Sequence, residues 1–219
     1  MKVLVVLSGG MDSTVALYWA MVKHEVVGCV SFNYGSKHND IEYLHAKRTC
    51  EKLDVPSHRV KLDFSLFESD LLQKGGDIPE GHYADPTMKR TVVPFRNGIM
   101  LSYSTGIAES MGAKGIVLGN HYGDHAVYPD CRMEFIEPMA EAMFKGTYEN
   151  INLISPFGYI DKTEVCRKGE LLNVDWANTY SCYNGREAHC GKCGTCTERI
   201  EAFKEAGVED PTEYEKALH

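Results

Sequence analysis

Two groups of residues have the types and the spacing to do chemistry. The first is Ser8-Gly9-Gly10-Met11-Asp12-Ser13-Thr14, which follows an apolar run at Val3 to Leu7 and opens an amphipathic stretch, MDSTVALYWAMV. A strand that ends in two glycines and turns into a helix N-terminus presents bare backbone amides to an anion. No lysine precedes the hydroxyl residues, so this is not a Walker loop, where that lysine holds the terminal phosphates during γ-phosphoryl transfer. Backbone N–H groups, two hydroxyls and an aspartate suit pyrophosphate leaving as a unit, with magnesium or a more distant cation balancing its charge. Asp12 stands in the first turn, where it complements the helix dipole or helps to place the metal. The plainer reading is a βα turn whose Ser13 and Thr14 cap a helix; strand, serine, paired glycines, aspartate and hydroxyls together outweigh it.

The second group is Cys182, Cys190, Cys193 and Cys196 in SCYNGREAHCGKCGTC, spaced as C, seven residues, C-x-x-C-x-x-C. Each C-x-x-C turn aims two sulfurs at one ion, and Gly191 and Gly194 relieve crowding where the backbone wraps it. Four thiolates at tetrahedral angles make a closed structural zinc site, with no ligand position left to activate water. An iron–sulfur cluster also takes four cysteines, but the proline that follows the bacterial ferredoxin run is missing, and zinc is the preferred reading. His189 is surplus to a complete ligand set. The other cysteines, Cys29, Cys50, Cys131 and Cys166, are scattered and read as small hydrophobes.

Three polar segments remain. VPFRN sets Arg96 and Asn97 at a helix start, where a guanidinium fork and an amide address phosphate or a planar heterocycle. GNHYGDHAVYPDCRMEF, carrying Asp124, Asp130 and Arg132, follows a strand and falls at its ligand-binding edge. PFGYIDKTEV puts Lys162 at a helix start, a place for the phosphate-facing cation that the glycine loop lacks. Singly, the arginines read equally as surface ion-pair residues and the aspartates as loop caps.

The elements that must position these groups alternate. Strand patterns fall at Lys2 to Leu7, Glu25 to Asn33, His58 to Leu62, Gly115 to Gly119 and Ile151 to Ile154. Helix patterns fall at Met11 to Val22, His38 to Leu53, Asn97 to Met111 and Asp161 to Leu172. Such alternation predicts an α/β fold with a doubly wound parallel sheet, its ligands beyond the carboxyl ends of the strands. Residues 1–175 are expected to form the ATP-binding α/β domain, and 176–219 a small C-terminal four-cysteine zinc subdomain packed on it. The long connection from Gln73 to Pro94 reads as a lid, with Tyr83, Val92 and Val93 to dock it. The 219 residues suffice for one cored domain, and no apolar run is of membrane-spanning length. With no leader-like start, the expected place is the cytoplasm. A net charge of −8 weighs against stable nucleic-acid binding and favours small substrates.

Ser8 to Thr14 resembles the SGGxDS motif of the PP-loop ATP pyrophosphatases, which cleave ATP between the α and β phosphates and leave an acceptor adenylated. Within that superfamily VPFRN, GDHxxYPDCRxEF, SCYxG with CGxCxxC, and the closing GVEDPTEY resemble the 7-cyano-7-deazaguanine synthase family, from the loop through Tyr214. The resemblance implies conversion of 7-carboxy-7-deazaguanine, ammonia and ATP to the nitrile, through an adenylated carboxylate and an adenylated amide. It implies ATP phosphates on Ser8, Gly9, Gly10, Met11, Asp12, Ser13 and Thr14 with Lys162 as helper, and magnesium accompanying the ATP. It further implies one structural zinc on Cys182, Cys190, Cys193 and Cys196, and a homodimer. Arg96, Asn97, Asp124, Asp130 and Arg132 are the candidates to orient substrate or nucleotide. No residue pair is legible as general acid and base. With no glutaminase-like segment read in the chain, free ammonia is the expected nitrogen source. Two departures, Lys37 where the family often has arginine and the wording DHAVYPDC, bear on the acceptor. A relative that stops at the amide, or joins the acyl group to another amine, would share these motifs. A tRNA-modifying PP-loop enzyme and a non-catalytic nucleotide sensor are the other readings.

Overall fold

The computed structural model describes residues 1–82, 84–123 and 127–215. Its elements run β1 (Lys2–Val6), α1 (Met11–Lys23), β2 (Glu25–Asn33), α2 (Asn39–Leu53), β3 (Ser57–Lys61), α3 (Arg96–Ser110), β4 (Gly115–Val117), α4 (Met133–Lys145), β5 (Asn152–Ile154), α5 (Lys162–Leu171) and α6 (Gly194–Ala206). The five strands are all parallel, in the order β3-β2-β1-β4-β5.

Strand period decides the layering. Val3, Val5 and Leu7 point to one face and pack with Met11, Val15 and Leu17 of α1, Ala46 of α2, Val165 of α5 and Phe203 of α6. Leu4 points to the other and packs with Leu101 and Ala108 of α3 and Ile136 and Met143 of α4. Two buried faces demand apolar residues at successive positions, which is why β1 is a continuous apolar run. Strand order reverses at β1, which lies between β2 and β4. The carboxyl ends of these strands therefore splay apart there, opening a crevice.

The expected doubly wound sheet is present, and the expected elements agree with it to within a residue or two. Two helices escape the sequence pattern. In α4, Pro138 interrupts the periodic reading; α6 begins at Gly194, inside the cysteine run that reads as a metal loop. No helix among the described residues is long and apolar enough to cross a membrane.

The 73–94 connection is docked at several points. Lys37 Nζ donates to the carbonyls of Asp70, at 2.8 Å, and Gly76. Gly81 N–H bonds to the Lys192 carbonyl at 3.0 Å, and Glu80 forms a bridge with Cys193. Met88 is buried with Val127, Tyr128 and Cys131, Val92 packs on that cluster, and Val93 joins the main core. Tyr83 lies outside the described residues.

A buried ion pair ties the C-terminal part together. Arg199 of α6 is fully buried. Its Nε and Nη2 reach Asp210 Oδ1 at 3.1 and 3.0 Å, and Nη1 reaches Thr179 Oγ1 at 2.8 Å. Tyr214 donates to Asp210 Oδ2 at 2.6 Å. Burial pushes the Asp210 carboxyl upward, but Arg199, Tyr214 and Thr212 outweigh it and hold the group below its ordinary value. A depressed carboxyl contributes stability above its unfolded pKa and loses it as pH falls. Asp210→Asn strands a buried guanidinium and should cost about 3–5 kcal/mol. It should lower the denaturant midpoint at an unchanged slope, with the gap to the unaltered protein narrowing in acid.

Candidate active site

The glycine turn between β1 and α1 is held by its own side chains. Ser8 Oγ accepts from Gly10 N–H at 3.1 Å and lies 3.0 Å from Ser13 Oγ, which accepts from Ser8 N–H at 3.2 Å. Ser13 Oγ also donates to the Gly10 carbonyl at 3.1 Å. Gly9 has φ of +98°, and a Cβ there would sit 2.2 Å from the Glu42 carbonyl oxygen. Only glycine meets both constraints. Gly119, beyond β4, is also closely placed: a Cβ would lie 2.8 Å from the Asp12 carbonyl oxygen. Gly10 caps α1 with no side-chain hydrogen bond, leaving the first amides and the positive end of the helix dipole turned outward.

These amides face a cavity of about 1190 Å³, counting the open solvent at its mouth. Backbone amides, charged side chains and aromatic rings together line it, as they do a ligand site. Ser8, Gly10, Met11, Asp12, Ser13 and Lys162 line one part, and Arg96 and Asn97 another. Gly9 and Thr14 stand behind the wall, shaping the turn. Lys162 Nζ lies 3.2 Å from Asp12 Oδ2 and 2.7 Å from Glu198 Oε2. Asp12 Oδ1 is buried and has no hydrogen-bond partner among the described residues. A carboxylate oxygen so left fits a magnesium ion or its water at the phosphate end.

Arg96 lies among aromatic groups. Its guanidinium carbon is 5.8 Å from the Tyr34 ring centre and 5.5 Å from that of Tyr128, and Nη1 donates to Tyr34 Oη at 3.2 Å. Burial opposes its charge, yet the oxygens of Tyr34, Tyr128 and Tyr183 hold its pKa well above the ordinary value. Among the described residues no carboxylate is ion-paired with it. Asp130 accepts the Asn97 amide at 2.7 Å, and Asn97 Nδ2 donates to the Asp130 carbonyl at 3.2 Å. Asp130 thus fixes the first turn of α3 behind Arg96 and does not line the cavity. Neither does Arg132, 3.7 Å from Glu134 Oε1. Asp124 lies outside the described residues.

The sequence pattern misses His38, Glu42 and Tyr43, which α2 presents to the same cavity, and the aromatic set Tyr34, Tyr128, Tyr180 and Tyr183. Burial lifts the Glu42 carboxyl to about 8 against the pull of Arg96. Burial, with Arg96, lowers His38 to about 3. Their only sequence signal is polarity on the cavity-facing side of a helix following the second strand.

Apart from this cavity, the four cysteine sulfurs lie within 4.8 Å of one another, all buried and none in a disulfide. A tetrahedral ion with bonds of about 2.3 Å to sulfur needs edges of ~3.8 Å, and Cys190 and Cys196 stand at 4.0 Å. Backbone amides of Lys192 and Cys193 donate to Cys190 Sγ at 3.5 and 3.3 Å, as they would to a thiolate. The donor set fits one metal ion.

Relatives match nearly the whole chain in sequence. A protein of Porphyromonas gingivalis named 7-cyano-7-deazaguanine synthase is 51% identical over 97% of this chain and 96% of its own. Proteins of that name from Caldicellulosiruptor bescii and Methanoregula boonei are 48% and 45% identical, each over 98% of this chain and 98% and 100% of theirs. Residues 2–207 match the family model described as queuosine biosynthesis protein QueC. The chain belongs to the QueC family.

Proposed function

We propose that this chain converts 7-carboxy-7-deazaguanine and ammonia to 7-cyano-7-deazaguanine at the expense of ATP, as the names of its relatives indicate. The observation that carries the reading is one cavity with two complementary ends: uncapped α1 amides at one, and at the other Arg96, a buried guanidinium with no carboxylate partner among the described residues. A phosphate chain suits the first and the acid of the substrate suits the second.

A carboxylate is a poor electrophile because its leaving group would be oxide. Attack of the substrate carboxylate on the α-phosphorus makes that oxygen part of AMP and releases pyrophosphate toward the amides of Met11, Asp12 and Ser13. Lys162 balances the departing charge while Asp12 and Glu198 hold its ammonium in place. Ammonia then displaces AMP, and the amide repeats the activation to lose its own oxygen as AMP. Arg96 and Asn97 orient the acid, with Asp130 setting the helix turn that presents them. Magnesium, held at Asp12, would draw charge from the phosphates.

Residues 176–219 are read as a zinc-binding subdomain on the ATP-binding part, its ion shaping the wall of the cavity through Tyr180 and Tyr183, which flank Cys182. The working unit is read as a cytoplasmic homodimer, on family resemblance alone.

Incubation with ATP, ammonium and the acid should yield AMP, pyrophosphate and a product of nitrile mass; pyrophosphate without that product would refute the reading. Ser8→Ala and Asp12→Ala should abolish acid-dependent pyrophosphate release, and Lys162→Ala should slow it roughly 10²–10³-fold. Metal analysis of purified protein should give one zinc per chain and no stoichiometric iron. Chelation or Cys193→Ser should lower the melting temperature, whereas a brown, iron-loaded protein would overturn the zinc assignment.

A further inference from the structure

Any route from a carboxylic acid to an amide must dispose of a proton from nitrogen. Among the described residues lining the cavity there are two carboxylates, Asp12 and Glu42. Asp12 is already engaged, with Lys162 at 3.2 Å and His121 at 3.8 Å. Glu42 is differently placed. It stands on α2 with its backbone against Gly9 and its side chain 19% exposed toward the cavity.

His38 faces Glu42 one turn earlier, Nε2 to Oε2 at 3.7 Å. Its Nδ1 lies 3.4 Å from the Tyr183 carbonyl, an oxygen that can only accept, so the ring proton belongs on Nδ1 and Nε2 offers a lone pair to Glu42. Arg96 faces the pair from α3, Tyr43 from α2 itself and Tyr180 from the segment after α5; Lys37 acts on His38. Asp12 and Lys162 line the same cavity.

We infer that Glu42, backed by His38, is the proton acceptor when ammonia adds to the activated acyl group, a catalytic role that rests on the reaction proposed above. The nitrogen lone pair forms the C–N bond as the carbonyl π pair moves to oxygen. Glu42 takes one proton from that nitrogen. The oxygen pair then restores the carbonyl as the C–O bond to AMP breaks, and AMP leaves with the bonding electrons. Amide, AMP and a protonated Glu42 result, and the proton passes to water through the mouth of the cavity. A carboxyl lifted to about 8 by burial is matched to an ammonium ion far better than an ordinary carboxyl would be.

Three readouts on the intact protein at pH 7 test this: acid-dependent exchange of pyrophosphate into ATP, product from ammonium, and hydroxamate from hydroxylamine, whose adduct nitrogen is far more acidic than that of ammonia and gives its proton to water unaided. Glu42→Gln should lose at least 100-fold in the ammonium reaction while exchange and hydroxamate formation persist within about threefold. Glu42→Asp should recover at least tenfold over Glu42→Gln with ammonium. Ammonium turnover in Glu42→Gln within threefold of the unaltered protein would overturn the assignment, as would equal losses with ammonium and hydroxylamine. Absence of exchange in the unaltered protein would instead overturn the reaction itself.

A melting series supplies the control for folding. The folded-state pKa of Glu42 exceeds the ordinary 4.5, so its protonated form contributes stability that is whole below about 4.5 and gone by about 8. Glutamine does not titrate, so Glu42→Gln should gain in melting temperature over the unaltered protein as pH rises through that window. A gap that stays constant would show Glu42 to be ionised without cost, and the assignment would fall.

Discussion

The contact on which the arrangement depends is that of Gly9 with the backbone of α2. No side chain fits there: the turn needs a positive φ, and the Glu42 carbonyl occupies the space a Cβ would fill. Because the turn and α2 touch at main-chain distance, the amides of α1 and the carboxyl of Glu42 come to one cavity without any long side chain to bridge them. Tyr180 N–H, bonded to the Gly9 carbonyl at 2.9 Å, clamps the turn from its other side. Parallel strand order supplies the crevice and this clamp supplies its precision.

Electrostatically the cavity is ordered rather than uniformly charged. The helix N-terminus and Lys162 contribute positive character from the sheet side, Arg96 contributes it from within its tyrosines, and burial holds the Glu42 carboxyl well above its ordinary value against the pull of Arg96. Tyr34 accepts a hydrogen bond from the Arg96 guanidinium, and the rings of Tyr34 and Tyr128 lie beside it. A guanidinium held this way is dear to bury and cheap to satisfy by an incoming acid, which favours binding of the correct ligand over solvent.

Much of this was legible in the chain. Apolar strands, helices with clear faces and a glycine pair before Asp12 are local signals, and they led to the sheet and its crevice. The cysteine run was legible because metal ligands impose their own spacing. Other features needed tertiary information. Helix α4 carries a proline inside it, and α6 starts within the cysteine loop, and each of these local signals argues against a helix. Asp130 looked like a cavity residue because it follows a strand end, yet its carboxylate caps α3. Glu42 and His38 looked like ordinary polar positions of an exposed helix, since their burial comes from α3 and the cysteine segment, far away in the chain.

Tyr183 gives the cysteine cluster a reach beyond its own fold. It follows Cys182 directly, its hydroxyl meets that of Tyr128 at 2.8 Å, and its carbonyl faces the imidazole of His38. The cysteine knuckle is thereby an abutment for the part of the cavity wall formed by His38, Tyr128 and Tyr183. Slackening at the knuckle would reach the cavity from two sides, at His38 through Tyr183 and at the glycine turn through Tyr180.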